Sequence, residues 1–274
     1  MKYFLNISLD AWFTGITPIL LFFLGYKLNE YFEKKKEKER LNELSEFVFQ
    51  EIKLLKEPLN KEISNIMDYA RKLNSPTLEH LLFSTNSSLS LQHLLDIHFE
   101  ELHKVFRKKK KRYLKKLALF KNSIDFIHNT LILNKEASDK AINKFEQYQF
   151  RYHECIETLE KKLIELVVTA DKNIEKRKFI DDIQDIRINW IANSTKERPY
   201  TDMFVARNNY IKPLLDYCKK NIDIDELLLL IPSIQDVNYA INNMEEHRSF
   251  FKSQFVHTAR ILNDCNIKLQ NTLK

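Results

Sequence analysis

Glycine occurs twice in this chain of 274 residues, at Gly15 and Gly25, and nowhere between Tyr26 and Lys274. Glycine is the default residue for left-handed turns, tight hairpins and phosphate-cradling loops. A sheet-rich domain of this length has no ready way to turn its chain without it. Long helices need none, so the sequence predicts an all-α fold. With 44% hydrophobic residues there is enough apolar material for a sizeable core.

Both glycines lie in an apolar N-terminal stretch. Ala11 to Tyr26 is sixteen residues without a charge, about 24 Å as a helix against a hydrocarbon core of ~30 Å. Trp12 and Tyr26 mark its ends at the positions of an aromatic belt. Pro18, Leu20, Phe22 and Phe23 fill the interior, and Lys27 is placed to snorkel. No small-residue cleavage site follows, which disfavours a signal peptide. The expectation is a single transmembrane helix and juxtamembrane anchor over 11–32, after a short extracytoplasmic N-terminus at 1–10. Lys27, Lys34, Lys35, Lys36, Lys38 and Arg40 follow the run and only Lys2 precedes it. That asymmetry predicts an inner-membrane protein with its N-terminus out and residues 33–274 in the cytoplasm. Glu30, Glu33, Glu37 and Glu39 dilute the basic flank, which reads as a mixed, solvated helix. Cys155, Cys218 and Cys265 are odd in number and lack metal-ligand spacing, so they read as reduced thiols.

Beyond the anchor, apolar residues recur at alternating steps of three and four. One run passes through Ile142, Phe145, Gln149, Tyr152, Ile156, Leu159, Leu163 and Leu166. Another passes through Ile234, Val237, Ile241, Met244, Arg248, Phe251, Phe255, Thr258, Leu262, Cys265 and Leu269. Such patterns belong to coiled coils or long bundle helices. The reading is an elongated antiparallel helical bundle or coiled-coil hairpin with a small helical insert. Its helices are expected at 41–72, interrupted near Pro58, at 89–134, at 138–180 and at 233–272. A turn is expected at Asn134 to Ser138, and residues 181–231 form the insert.

The most unusual polar feature is Lys104 to Lys121, with ten basic residues and no acidic one, while the rest of the chain sums to −4. Arg107, Lys108, Lys109, Lys110, Lys111, Arg112, Lys115 and Lys116 make a candidate anion-binding set for nucleic acid or acidic lipid. The competing expectation is neutralisation inside the hairpin, with Glu157, Glu160 and Glu165 facing Lys116, Arg112 and Lys108. Aromatic interleaving of the kind used on single-stranded nucleic acid is sparse, so nucleic acid is not favoured. In the insert, Trp190, Tyr200, Phe204, Arg207 and Tyr210 form a candidate partner-binding cluster, weighed against ordinary core packing.

Catalytic signals are missing from the sequence. The glycine-rich phosphate loop and the nucleophile elbow both require glycines that the body lacks. His93, His98 and His103 are five residues apart and do not share a helical face. Glu100 and His103 fit only half of a di-iron carboxylate site. No metal or cofactor is expected. These features point to a non-enzymatic, membrane-anchored scaffold, sensor or interaction protein with a protein partner or a second copy of itself. An anion-binding module and a membrane-tethered stress or toxin-type effector acting as an oligomer are the alternatives.

Overall fold

A computed structural model of the chain describes residues 3–4, 7–73, 91–107, 112–170, 174–193 and 203–273. Among the described residues the fold is all-α apart from one minimal hairpin, in which β1 (Tyr3–Phe4) pairs antiparallel with β2 (Ile7–Ser8). Three long helices dominate: α1 (Leu9–Lys72), α4 (Tyr113–Ala170) and α9 (Ile231–Asn271). Between them lie α2 (Gln92–Leu95), α3 (Phe99–Arg107), α5 (Ile174–Asn193), α6 (Met203–Ala206), a π-helical turn at Arg207–Ile211, α7 (Lys212–Lys220) and α8 (Asp225–Leu228).

Several sequence expectations are corrected. Residues 134–138 form no turn, because α4 runs straight through them. There is no glycine or proline from Tyr113 to Ala170, and Asn134 and Ser138 are buried along with Ala137 and Ala141. Polar residues that look like a loop in sequence therefore sit inside a helical face. Lys116 and Glu157 share this one helix and cannot face each other across a hairpin. The helix expected at 89–134 is instead α2, α3 and the start of α4. Arg112 has φ 56°, a left-handed conformation unusual for a residue other than glycine. Its carbonyl accepts from the Lys116 amide at 3.1 Å, opening α4. Arg107 to Arg112 are all cationic, and mutual repulsion works against an uninterrupted helix there. Pro58 lies within α1 without ending it.

No helix among the described residues is long and apolar enough to cross a membrane. The reason is local. The uncharged run of α1 stops at Lys27 and is diluted by Thr14, Gly15, Thr17 and Pro18.

The chain divides into two compact units. The first comprises residues 1–57, 89–125 and 266–274. Its buried apolar residues include Val48, Ile52 and Leu55 of α1, Leu102, Val105 and Phe106 of α3, Leu117 and Phe120 of α4, and Leu269 of α9. Phe106 packs between Phe49 and Phe120, with ring centroids 5.7 and 5.4 Å away. The Gln270 amide donates to the Ile52 carbonyl at 2.9 Å.

The second unit comprises residues 58–88 and 126–265. Tyr152, Ile156, Leu159 and Leu163 of α4 meet Ile183 and Trp190 of α5, Tyr210 and Leu214 beyond them, and Val237, Ile241 and Met244 of α9. The heptad stripes thus bury as apolar seams. Tyr69 of α1 packs edge-on against Phe255, with centroids 5.0 Å apart.

Candidate functional site

Three places carry features beyond ordinary packing: the start of α1, the cationic stretch around α3, and the polar centre of the second unit. The first is the most anomalous. Ile19, Leu20, Leu21, Phe22, Phe23 and Leu24 are consecutive and each is between 55% and 72% exposed. At about 100° per residue, six consecutive positions surround a helix completely. Phe13 and Tyr26 are equally bare, Leu28, Tyr31 and Phe32 continue the surface, and Pro18 and Lys27 are exposed. A helix that is apolar all round belongs in a core or in lipid. Trp12 lies in the helix, but its side chain is outside the described residues.

Just past this segment, Lys27 and Lys34 both reach Glu30, the first at 3.4 Å. Arg40 then pairs with Glu101 at 2.9 Å and Lys104 with Glu37 at 2.8 Å, fastening α3 to α1. The hydrogen bond from Lys104 holds the Glu37 carboxyl below its ordinary pKa. Of the anion-binding candidates, Arg107, Arg112 and Lys115 are exposed and Lys116 is half-buried. Lys108, Lys109, Lys110 and Lys111 lie outside the described residues.

Two members of the aromatic cluster belong to the core. Trp190 and Tyr210 are fully buried and stack on each other, ring centroids 4.4 Å apart and planes within 2°. They cannot meet a partner without opening the core. Phe204 and Arg207 are half-buried, and Tyr200 is outside the described residues. Arg207 forks onto Glu245, with a second contact at 3.1 Å, and donates to Asn242 at 3.2 Å.

Sequence reasoning missed the polar network beneath this stack. The Tyr210 hydroxyl donates to Glu160, and Arg187 pairs with the same carboxylate at 2.9 Å. Tyr217 donates to Asp182 at 2.9 Å, and burial followed by that carboxylate raises its phenol pKa. Arg248 stays within the apolar seam by lying over the Phe204 and Phe145 rings, 5.7 and 6.0 Å from their centroids. A cavity of about 120 Å³ beside Glu160 and Arg187 is lined mainly by Leu163, Ile164, Leu166 and Ile183. The π-helical turn is the element that delivers Tyr210 and Arg207 to their carboxylates. Its sequence signal is faint, because such turns have no residue signature.

Chemically, this network ties helices together. Glu160 is engaged by a phenol and a guanidinium and is not presented as a base. Among the described residues no group of three histidine, cysteine or acidic side chains converges on a metal position. All three cysteines are buried free thiols. Comparison with protein-family models, with curated proteins and with solved structures finds no match.

Proposed function

We propose that this chain is a non-enzymatic helical interaction protein that inserts the start of α1 into a lipid bilayer and presents its helical units on the cytoplasmic side. One observation carries the reading: the exposed apolar surface from Ile19 to Leu24 encloses the helix. An interfacial amphipathic helix needs one apolar and one polar face, and this segment has no polar face. A short insertion is accommodated by local thinning of the bilayer, by snorkelling of Lys27, or by self-association. The bare aromatics Tyr26, Tyr31 and Phe32 suit the headgroup level. The excess of lysine and arginine after the segment supports the orientation.

The test is membrane extraction of the full chain, with Leu20→Lys and Phe23→Lys combined as the variant. Each central lysine costs about 2.5–3.5 kcal/mol on the insertion scale. The native chain is expected to resist alkaline carbonate and yield only to detergent, and the variant is expected to be released. A full-length chain recovered without detergent overturns the reading.

A second reading has the exposed Arg107, Arg112 and Lys115 gripping an anion such as nucleic acid. Charge reversal of these three with unchanged heparin retention removes it.

A further inference from the structure

We propose that the turns of α1 just beyond its apolar segment form a one-sided cationic face that binds anionic phospholipid headgroups, an inference that rests on the bilayer anchor above. In sequence the stretch from Lys27 to Arg40 looks balanced, with four glutamates among six cations. The structure separates the two signs. At about 100° per residue, Glu30, Glu33 and Glu37 fall within about 60° of one another, with Arg40 adjacent. That side is the one α3 occupies, through Lys104 on Glu37 and Glu101 on Arg40. Lys35, Lys36 and Lys38 centre on the opposite side of the helix. All three are exposed and have no ion-pair partner among the described residues. Glu39 is the one acid on their side, leaving a net charge of about +2.

In three of the pairs the cation is the more exposed member, and Lys104 and Glu37 are about equally exposed. Lys27 is 75% exposed and Lys34 72% exposed over Glu30 at 35%, and Arg40 is 61% exposed over Glu101 at 28%. Glu30 and Glu101 are thus the inner members of their pairs, while Glu33, Glu37 and Glu39 remain exposed. On the side of Lys35, Lys36 and Lys38 an approaching surface meets three ammonium groups and the single carboxylate of Glu39.

The location suits headgroups. Lys35 to Lys38 follow Phe32 by about 5–9 Å of helix, comparable with the ~8 Å Debye length at physiological ionic strength. Side chains on a helix lean toward its N-terminus, so these lysine stems lean toward the apolar segment and the bilayer. Each lysine near an anionic surface contributes ~1 kcal/mol. Three lysines offset by Glu39 give a roughly 30-fold preference for an anionic over a neutral bilayer, at 1.4 kcal/mol per tenfold.

The experiment is a competition. Full-length chain diluted from detergent is offered two differently labelled vesicle populations, phosphatidylcholine alone and phosphatidylcholine mixed with phosphatidylglycerol. After separation by flotation, the native chain is expected to favour the anionic vesicles roughly 30-fold. That preference should collapse in 1 M salt, where the Debye length is about 3 Å. Lys35→Gln, Lys36→Gln and Lys38→Gln combined should distribute evenly between the two populations while still floating. Lys104→Gln, which lies on the α3 side, should leave the preference intact. Even distribution of the native chain, or an unchanged preference in the triple variant, overturns the headgroup face and leaves the anchor standing. Failure to float with either population overturns the anchor itself.

Discussion

Replacing Trp190 with alanine separates a structural role for the aromatic cluster from a partner-binding one. The indole is 0% exposed and stacked at 4.4 Å on Tyr210. Truncating a buried tryptophan costs about 3–5 kcal/mol through lost transfer energy and the cavity left behind. The aromatic pair itself contributes about 0.5–1.5 kcal/mol beyond area burial. Trp190→Phe keeps a ring over Tyr210 and should lose markedly less. Tyr210→Phe keeps the stack but removes the hydroxyl donor to Glu160, a bond to a charged group worth about 1.5–3 kcal/mol. Because the two side chains touch, the double variant should fall short of the sum of the singles. Urea titration of the detergent-solubilised full chain, followed by far-ultraviolet circular dichroism, reads these differences. Trp190→Ala within about 0.5 kcal/mol of the native chain would refute the reasoning, since surface substitutions have effects of that size.

Ser138→Pro tests the continuity of α4: a mid-helix proline costs about 3 kcal/mol or more, whereas a turn at that place would accept it, and thermal unfolding distinguishes the two. Burial pushes the Cys218 thiol from an ordinary 9.0 to about 11. The unfolded chain therefore loses this proton first, so the contribution to stability is complete below pH 9 and disappears as pH rises to 11. Denaturation midpoints compared across that range should show a shallower alkaline decline in Cys218→Ala. All three thiols are buried, so a thiol-specific reagent should react slowly with the native chain and with all three once it is unfolded.

The helical class was legible because the absence of glycine after Gly25 removes the means of building turns. The apolar seams were legible because spacings of three and four survive burial, as with Ile234, Val237, Ile241 and Met244. Connectivity was misread where one residue type serves two purposes. Asn134 and Ser138 are turn formers in isolation, and here they are buried polar positions on a helix with no breaker nearby. The basic run hid the opposite error. Lysine and arginine are good helix formers one at a time, but Arg107 to Arg112 are six cations in succession, the last of them left-handed, and α4 opens at Tyr113. In sequence Glu160 looks placed to face Arg112 across a hairpin, whereas α4 runs unbroken from Tyr113 to Ala170. The real partners of Glu160, Arg187 and Tyr210, come from segments that no local pattern connects to it. The apolar character of Ile19 to Leu24 is plain in the sequence, and the structure adds that nothing in the described chain covers these side chains.

Along α1 the surface pattern changes twice while the backbone does not. From Ile19 to Leu24 the helix is apolar on every side, and from Leu41 onward it is apolar on one stripe, through Val48, Ile52, Leu55 and Leu59. A helix surface reflects the medium it is built for, and on the anchor reading one backbone serves two media. The connecting stretch from Lys27 to Arg40 has neither lipid nor a packed core of its own. Short helices without tertiary burial are marginal in water. What favours helix there is the absence of glycine and proline from Lys27 to Glu57, the Lys27–Glu30–Lys34 triplet, and the two pairs to α3. Exposed pairs of this kind, within a helix or between helices, contribute little and are screened by salt. This is the least secured part of the helix, and it also carries the lysine face. On the anchor reading, headgroup binding at Lys35, Lys36 and Lys38 would supply the stabilisation that a core provides elsewhere. Helicity of the stretch should then depend on lipid charge, whereas the interiors of the two units should not respond.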